Sequence, residues 1–301
     1  MADGEEQGGA RRGKWQPYAL LTPGVFWLLL FFVIPLITLV QISLSEQKSR
    51  FALEYNFTFH TQNFTDAIDE YGDIFLRSFW YAGLATLVCI LIGYPLAYVL
   101  AFRAGKWRNF LLGLVVVPFF TSYLIRTIAW TTIFGDNGPV IGFFEASNID
   151  GLLERVGFLD NGRLMNTQWA VVGGLAYNFL PFMILPIYVS LEKIDVRLVE
   201  AAKDLYSSAA QAFRKIVLRM SLPGVFAGTL LTFIPASGDY VNAQYLGGPN
   251  NRMIGNVVQN QFLVQNQYPS AAAMSLVLMV IITIGVLIYA KLLGTEELVP
   301  S

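Results

Sequence analysis

The sequence predicts an all-α, polytopic membrane protein with six transmembrane helices, and three observations predict it. Hydrophobic residues make up 55% of the 301-residue chain and charged residues 14%, against roughly a quarter charged in soluble domains. The apolar residues are gathered into blocks, and about 20 residues of helix suffice to cross a hydrocarbon core of about 30 Å. Lys and Arg concentrate in alternate connections between those blocks, as the positive-inside rule requires.

The blocks are 17–42, 75–102, 110–134, 169–191, an interrupted stretch from 222 to about 246, and 270–293. The first is longer than a signal-peptide core and lacks an A-x-A-like cleavage site, so it reads as a span. Arg11, Arg12 and Lys14 precede it. Arg103, Lys106 and Arg108 separate the second and third spans, and Lys193, Arg197, Lys203, Arg214, Lys215 and Arg219 the fourth and fifth. The first connection on the opposite side carries Glu46, Glu54, Asp66, Asp69, Glu70 and Asp73. Both termini and the 192–221 loop are therefore expected in the cytoplasm, with tails at 1–16 and 294–301 and one permeating domain over 17–293. The net charge of −1 averages two sides of opposite sign.

Composition also limits the chemistry. The single Cys89 and single His60 exclude an intramolecular disulfide and most metal sites. His60 is expected to be a solvated loop residue. No Gly-rich phosphate loop with Lys-Ser/Thr occurs, so the chain does not bind ATP by that route. No catalytic residues, metal or cofactor are expected in this chain.

Two polar stretches stand out. Residues 191–220 read LEKIDVRLVEAAKDLYSSAAQAFRKIVLRM. Asp195 is placed to cap one helix, and Ser208 with Gln211 forms a Ser-x-x-Gln box at the start of a second. The basic residues Arg214, Lys215 and Arg219 suit the C-terminus of that second helix. Two short helices with a break near Tyr206 are expected, on a cytoplasmic loop shaped for a soluble partner or lying on the membrane surface. The other stretch is FIPASGDYVNAQYLGGPN, where a helix of 222–234, about 20 Å long, meets Pro235, Gly238 and Asp239. Backbone that breaks at membrane depth must be buried in protein or line a wet cavity, and an intramembrane carboxylate points to function. Asp239 either faces such a cavity or caps an external loop. Tyr240 and Tyr245 beside it, with Tyr123 and Trp130 in the third span, supply aromatic faces. Arg126 either repels a cation, anchors an anion, pairs with Asp239, or extends to the outer interface. Residues 254–262, with Ile254, Val257, Val258 and Phe262 at helical spacing, read as an amphipathic external helix.

The 191–220 loop resembles the EAA loop of permease subunits of ATP-binding-cassette (ABC) importers. Glu200, Ala201, Ala202, Ile216 and Leu218 match in register, while Tyr206 stands where the family has glycine and Arg219 where it has proline. The latter change removes a rigid stop and lets the second helix run slightly longer. The resemblance implies a type I ABC importer permease fold. It also implies that Glu200, Ala201, Ala202, Asp204, Tyr206, Ile216 and Leu218 dock a partner ATPase, which would bind the ATP and Mg. The segments MSLPGVFAG, FIPASGDYVN, LGGPNNRMIGNVVQNQF and PFFTSYLIRTIAW resemble the polyamine-importer branch, the PotB-type permeases. That likeness implies a spermidine or putrescine path and localisation in a bacterial inner membrane. Its implied partners are a second permease (PotC-type), two ATPase subunits (PotA-type), an external binding protein (PotD-type) and membrane lipid, with no nucleic acid. The competing classes are a self-sufficient secondary transporter, a membrane-bound enzyme and a docking scaffold. The first would need coupling carboxylates in several spans. The second would need a His, Cys or carboxylate cluster. Co-purification of a cassette ATPase separates all three from a permease.

Overall fold

The computed structural model describes residues 16–47, 55–195, 197, 200 and 208–292. Its elements are helices apart from a small antiparallel hairpin, β1 (Ser45–Gln47) with β2 (Tyr55–Phe57), in which Ser45 pairs with Phe57. The first span is α1 (Gln16–Leu28) and α2 (Ile34–Ser43), joined through a π turn at Leu29–Val33. The long α3 (Gln62–Phe102) has 41 residues, about 60 Å at 1.5 Å per residue, twice the hydrocarbon thickness. It therefore begins well before the apolar run. Asp66, Asp69, Glu70 and Asp73 sit on its first turns, not in the loop expected from their charge.

The third apolar run, expected as one straight helix, is broken. A 3-10 turn (Gly105–Trp107), α4 (Arg108–Val116) and a second 3-10 turn (Val117–Phe120) lead to extended backbone at Thr121 and Ser122. From there α5 (Tyr123–Phe134) departs, and the two halves meet at 98°. Pro118 lies in the second turn, where it withholds an N–H from the ladder. Two short helices follow, α6 (Pro139–Ala146) and α7 (Asp150–Arg155). The fourth span, α8 (Gln168–Glu192), starts at Thr167, whose hydroxyl accepts the Ala170 N–H at 3.3 Å.

The fifth span corrects two expectations. The second loop helix does not end in its basic residues. α9 (Ala209–Ala212) passes through a π turn (Phe213–Val217) directly into α10 (Leu218–Ser237). With Arg219 in place of proline nothing stops it. Nor does the helix end at Ile234, because Pro235 is carried inside it and the break comes at Gly238. Then follow α11 (Val241–Leu246), a 3-10 turn (Pro249–Asn251), α12 (Ile254–Leu263) and the last span, α13 (Tyr268–Leu292). Among the described residues five helices are long and apolar enough to cross a membrane, six with the bent pair taken as one span.

The packing centre is α8, which touches α3 and α10; α13 lies against α2 and α3 on the other side. In lipid, helices associate through close backbone approach at small residues, and the α8–α10 crossing shows it. A Cβ on Gly224 would lie 2.5 Å from the Pro186 carbonyl oxygen, and one on Gly228 would lie 2.8 Å from the Met183 sulfur. These two glycines form a G-x-x-x-G pair on the face that α8 covers.

Candidate functional site: a polar cluster beside the middle of α8

Asn178, near the middle of α8, is 1% exposed and anchors a polar cluster where the two chain breaks meet. Its Nδ2 donates to Asn242 Oδ1 and to Thr127 Oγ1, both at 3.2 Å. Asn242 Nδ2 donates to the Tyr123 hydroxyl at 2.6 Å, and that hydroxyl donates to the Asp239 carboxylate. The other Asp239 oxygen accepts the Asn242 N–H at 2.8 Å. Tyr123 opens α5 just after the break at 121–122, and Asp239 follows the break at Gly238. Each broken span thus contributes its first polar residue to the same place. Asp239 is 8% exposed, so it is neither in free water nor in lipid.

Above the cluster lies a cavity of about 830 Å³, lined by Tyr123, Tyr240 and Tyr245 from the expected set. Tyr71 in the N-terminal part of α3, the amides Gln244, Asn256, Gln259, Asn260 and Gln261, and Arg252 complete most of its polar wall. The wall is built by α12, which sits directly on the break. A Cβ at Gly255 would fall 2.4 Å from the Gly238 carbonyl oxygen, so only glycine permits that approach. Asn256 Nδ2 donates to the Tyr240 carbonyl at 2.7 Å. The 249–254 turn is held to α3 by three bonds. Arg77 donates to the Asn250 carbonyl at 2.5 Å, Tyr81 to Asn251 Oδ1 at 2.6 Å, and the Ile254 N–H to Ser78 Oγ at 2.7 Å.

The expected residues separate accordingly. Asp239 and Tyr123 are bonded partners, and Tyr240 and Tyr245 face the cavity. Trp130 does not border it but packs against Phe134 and Tyr177, with ring centroids 4.6 and 5.0 Å away. Arg126 forms no ion pair with Asp239 among the described residues. It is largely buried, with its guanidinium 5.7 Å from the Tyr123 ring centre and its Nε and Nη1 enclosed. The helix at 254–262 is present, but its buried face holds Asn256 and Gln261 alongside Ile254 and Val257, while Phe262 is exposed. His60 is half-buried, its N–H bonded to the Leu44 carbonyl at 2.8 Å. Asn178, Thr127, Asn242, Tyr71 and Arg252 were not foreseen. A lone asparagine inside an apolar run was the available signal for Asn178; Tyr71 carried none, because its place depends on contacts with α12.

On the 191–220 loop, Ala201, Ala202, Asp204 and Tyr206 lie outside the described residues. Glu200 is helical and exposed, and Ile216 and Leu218 are half-buried. Both foreseen caps have their bonds: Asp195 Oδ1 accepts the Arg197 N–H at 2.9 Å, and Ser208 Oγ the Gln211 N–H at 3.3 Å. Among the described residues no three His, Cys, Asp or Glu side chains converge as metal ligands.

Comparison with known proteins agrees with this architecture. Solved importer structures share the fold. A bacterial ABC transporter importing the acidic polysaccharide alginate superposes with a TM-score of 0.63 at 17% identity, covering 93% of this chain and 95% of that one. Sequence relatives are nearer. The spermidine/putrescine transport system permease protein PotB of Haemophilus influenzae is 37% identical over 88% of this chain and 90% of its own length. PotB of Escherichia coli is 36% identical over 88% and 93%. The E. coli inner membrane ABC transporter permease protein YdcU is 32% identical over 75% and 72%. Residues 56–293 match the model of the binding-protein-dependent transport system inner membrane component. Such a component is a multi-pass inner-membrane transport subunit, not an enzyme, and works in an assembly of permease, ATPase and solute-binding protein. The chain belongs to that family: it is an ABC importer permease subunit with the type I fold, closely related to the PotB-type permeases.

Proposed function

We propose that this permease forms half of the path of a polyamine, spermidine or putrescine, across the inner membrane. The observation that carries the reading is the tyrosine- and amide-lined cavity floored by Tyr123, with Asp239 bonded directly beneath it. Ammonium groups bind ring faces with about 0.5–2 kcal/mol each, and amide carbonyls accept their hydrogen bonds. The identity of 36–37% to PotB proteins over about nine-tenths of the chain supports the same solute class. In this reading both termini and the 192–221 loop are cytoplasmic, and the cavity opens outward to a PotD-type binding protein. Glu200, Ala201, Ala202, Asp204, Tyr206, Ile216 and Leu218 dock a PotA-type ATPase, and a PotC-type permease completes the path.

One reconstitution tests the proposal. The permease, its partner permease, the ATPase and the loaded binding protein are placed in vesicles, and uptake of labelled spermidine and putrescine is measured with unlabelled competitors. The expected result is ATP-dependent uptake of a polyamine, lost in Glu200→Lys with insertion unchanged. ATP-dependent uptake of another solute with no polyamine transport overturns the solute class. Full uptake by Glu200→Lys overturns the docking role.

A further inference from the structure

The cavity adjoins the C-terminal end of α10, while the 192–221 loop leaves α8 at Glu192, where an ion pair reaches the broken third span. Glu192, the last residue of α8 and the threshold of the loop, forms an ion pair with Arg108, the first residue of α4. The Arg108 guanidinium also stands 5.2 Å from the Tyr188 ring centre, one turn back on α8. Each charge sits at the helix end that disfavours it. A helix N-terminus carries partial positive charge and disfavours Arg, and a C-terminus disfavours Glu. Neither residue is explained by its own helix; each offsets the other. α4 has no fully buried residue. Leu111, Leu112 and Val115 pack half-buried against the core further along it, and Arg108 is the side chain that ties its first turn to the end of α8. From α4 the chain reaches Tyr123, the partner of Asp239, through a single 3-10 turn and two extended residues.

We propose that Arg108 and Glu192 are positioning residues for transport, a tie that makes the broken third span follow the loop when the loop moves. The pair sets the position of α4 relative to the end of α8, and through the 98° break it sets the position of Tyr123 over Asp239. This rests on the docking role proposed for the loop, so the experiment reads docking and tie separately.

In the reconstituted importer, Arg108→Gln, Glu192→Gln and the exchange Arg108→Glu with Glu192→Arg are compared for three readouts. These are ATPase co-purification, hydrolysis stimulated by the loaded binding protein, and solute taken up per ATP hydrolysed. The tie predicts normal co-purification and stimulated hydrolysis in each single variant, with uptake per ATP reduced roughly fivefold or more, the lower range of coupling between distant sites. The exchange restores the ratio and puts each charge at the helix end that favours it, so its melting temperature equals or exceeds that of the parent. An unchanged ratio in the single variants, or an exchange that does not recover it, overturns the tie. Loss of ATPase co-purification in the single variants also overturns it, because the pair would then be shaping the dock. Failure of docking in the parent protein removes the loop's role and leaves the pair as a helix-end contact.

Discussion

The first span and α8 are apolar helices of nearly equal length with opposite environments. The first, Leu20–Ser43, has a mean hydropathy of 2.6 and none of its core window buried; α8 has 1.7 and 67% buried. Leu20, Trp27 and Phe32 project outward from one, while Ala170, Asn178 and Ile187 are enclosed in the other. In water the more hydrophobic helix would be the inner one. Lipid removes that driving force, because tails are as apolar as leucine, and packing then selects small and polar residues. The least exposed of these spans is thus free to carry Asn178 and the cluster around it. The outermost span carries bulk instead.

The strongest way to break this comparison is at the α8–α10 contact. Gly224→Val places branched carbons where a single Cβ already meets the Pro186 carbonyl and the Ser190 hydroxyl at 2.5 Å. Overpacking a close contact costs about 1–3 kcal/mol and more when backbone is the obstacle. The expected outcome is loss of monodisperse protein in detergent, read by size-exclusion yield. A normal yield would mean that α8 is not the packing centre.

Asp239→Asn is next, and its effect falls on transport. The amide retains one acceptor where the carboxylate offers two oxygens, one to the Tyr123 hydroxyl and one to the Asn242 N–H. Hydrogen bonds to charged groups contribute about 1.5–3 kcal/mol, so uptake in the reconstituted importer should fall about tenfold or more, with capture by the binding protein unchanged. Full uptake would reduce Asp239 to a helix cap. Tyr123→Phe is milder, since it removes the hydroxyl but leaves Asp239 its backbone partner. A fall of about tenfold or less is expected, because the charge of Asp239 stays and only one bond to it is lost, about 1.5 kcal/mol at the lower end for a charged acceptor.

The sequence revealed these regions unevenly, for physical reasons. Span number was legible because hydropathy is a local property. Asp239, Tyr123, Tyr240 and Tyr245 were legible because a carboxylate and tyrosines beside a helix break are rare at membrane depth. The break in the third span was not, since Pro118 within PFFTSY reads equally as a tolerated kink. Nor was the run of α9 through a π turn into α10, where a basic cluster imitated a helix end. The place of Arg126 and Trp130 depended on how α5 leaned after a 98° turn, and nothing local encodes that angle. The G-x-x-x-G pair at Gly224 and Gly228 was visible in the letters but needed α8 opposite it to acquire meaning.

The smallest expected effect sharpens the comparison most. Trp27→Ala removes one of the largest side chains in the chain, yet Trp27 is 63% exposed and its ring contact is with Phe31, one turn along the same helix. Truncating a buried aromatic residue costs about 3–5 kcal/mol. An outward-facing residue in lipid or detergent exchanges one apolar neighbour for another, and a surface change of this kind stays within about 0.5 kcal/mol. The melting temperature of the isolated chain in detergent should therefore match the parent. Asn178→Ala, a smaller truncation, should lower it clearly by leaving Asn242 and Thr127 without a shared donor. If Trp27→Ala proves the more destabilising of the two, the first span is held by the chain itself, and burial would no longer run opposite to hydropathy between these two helices.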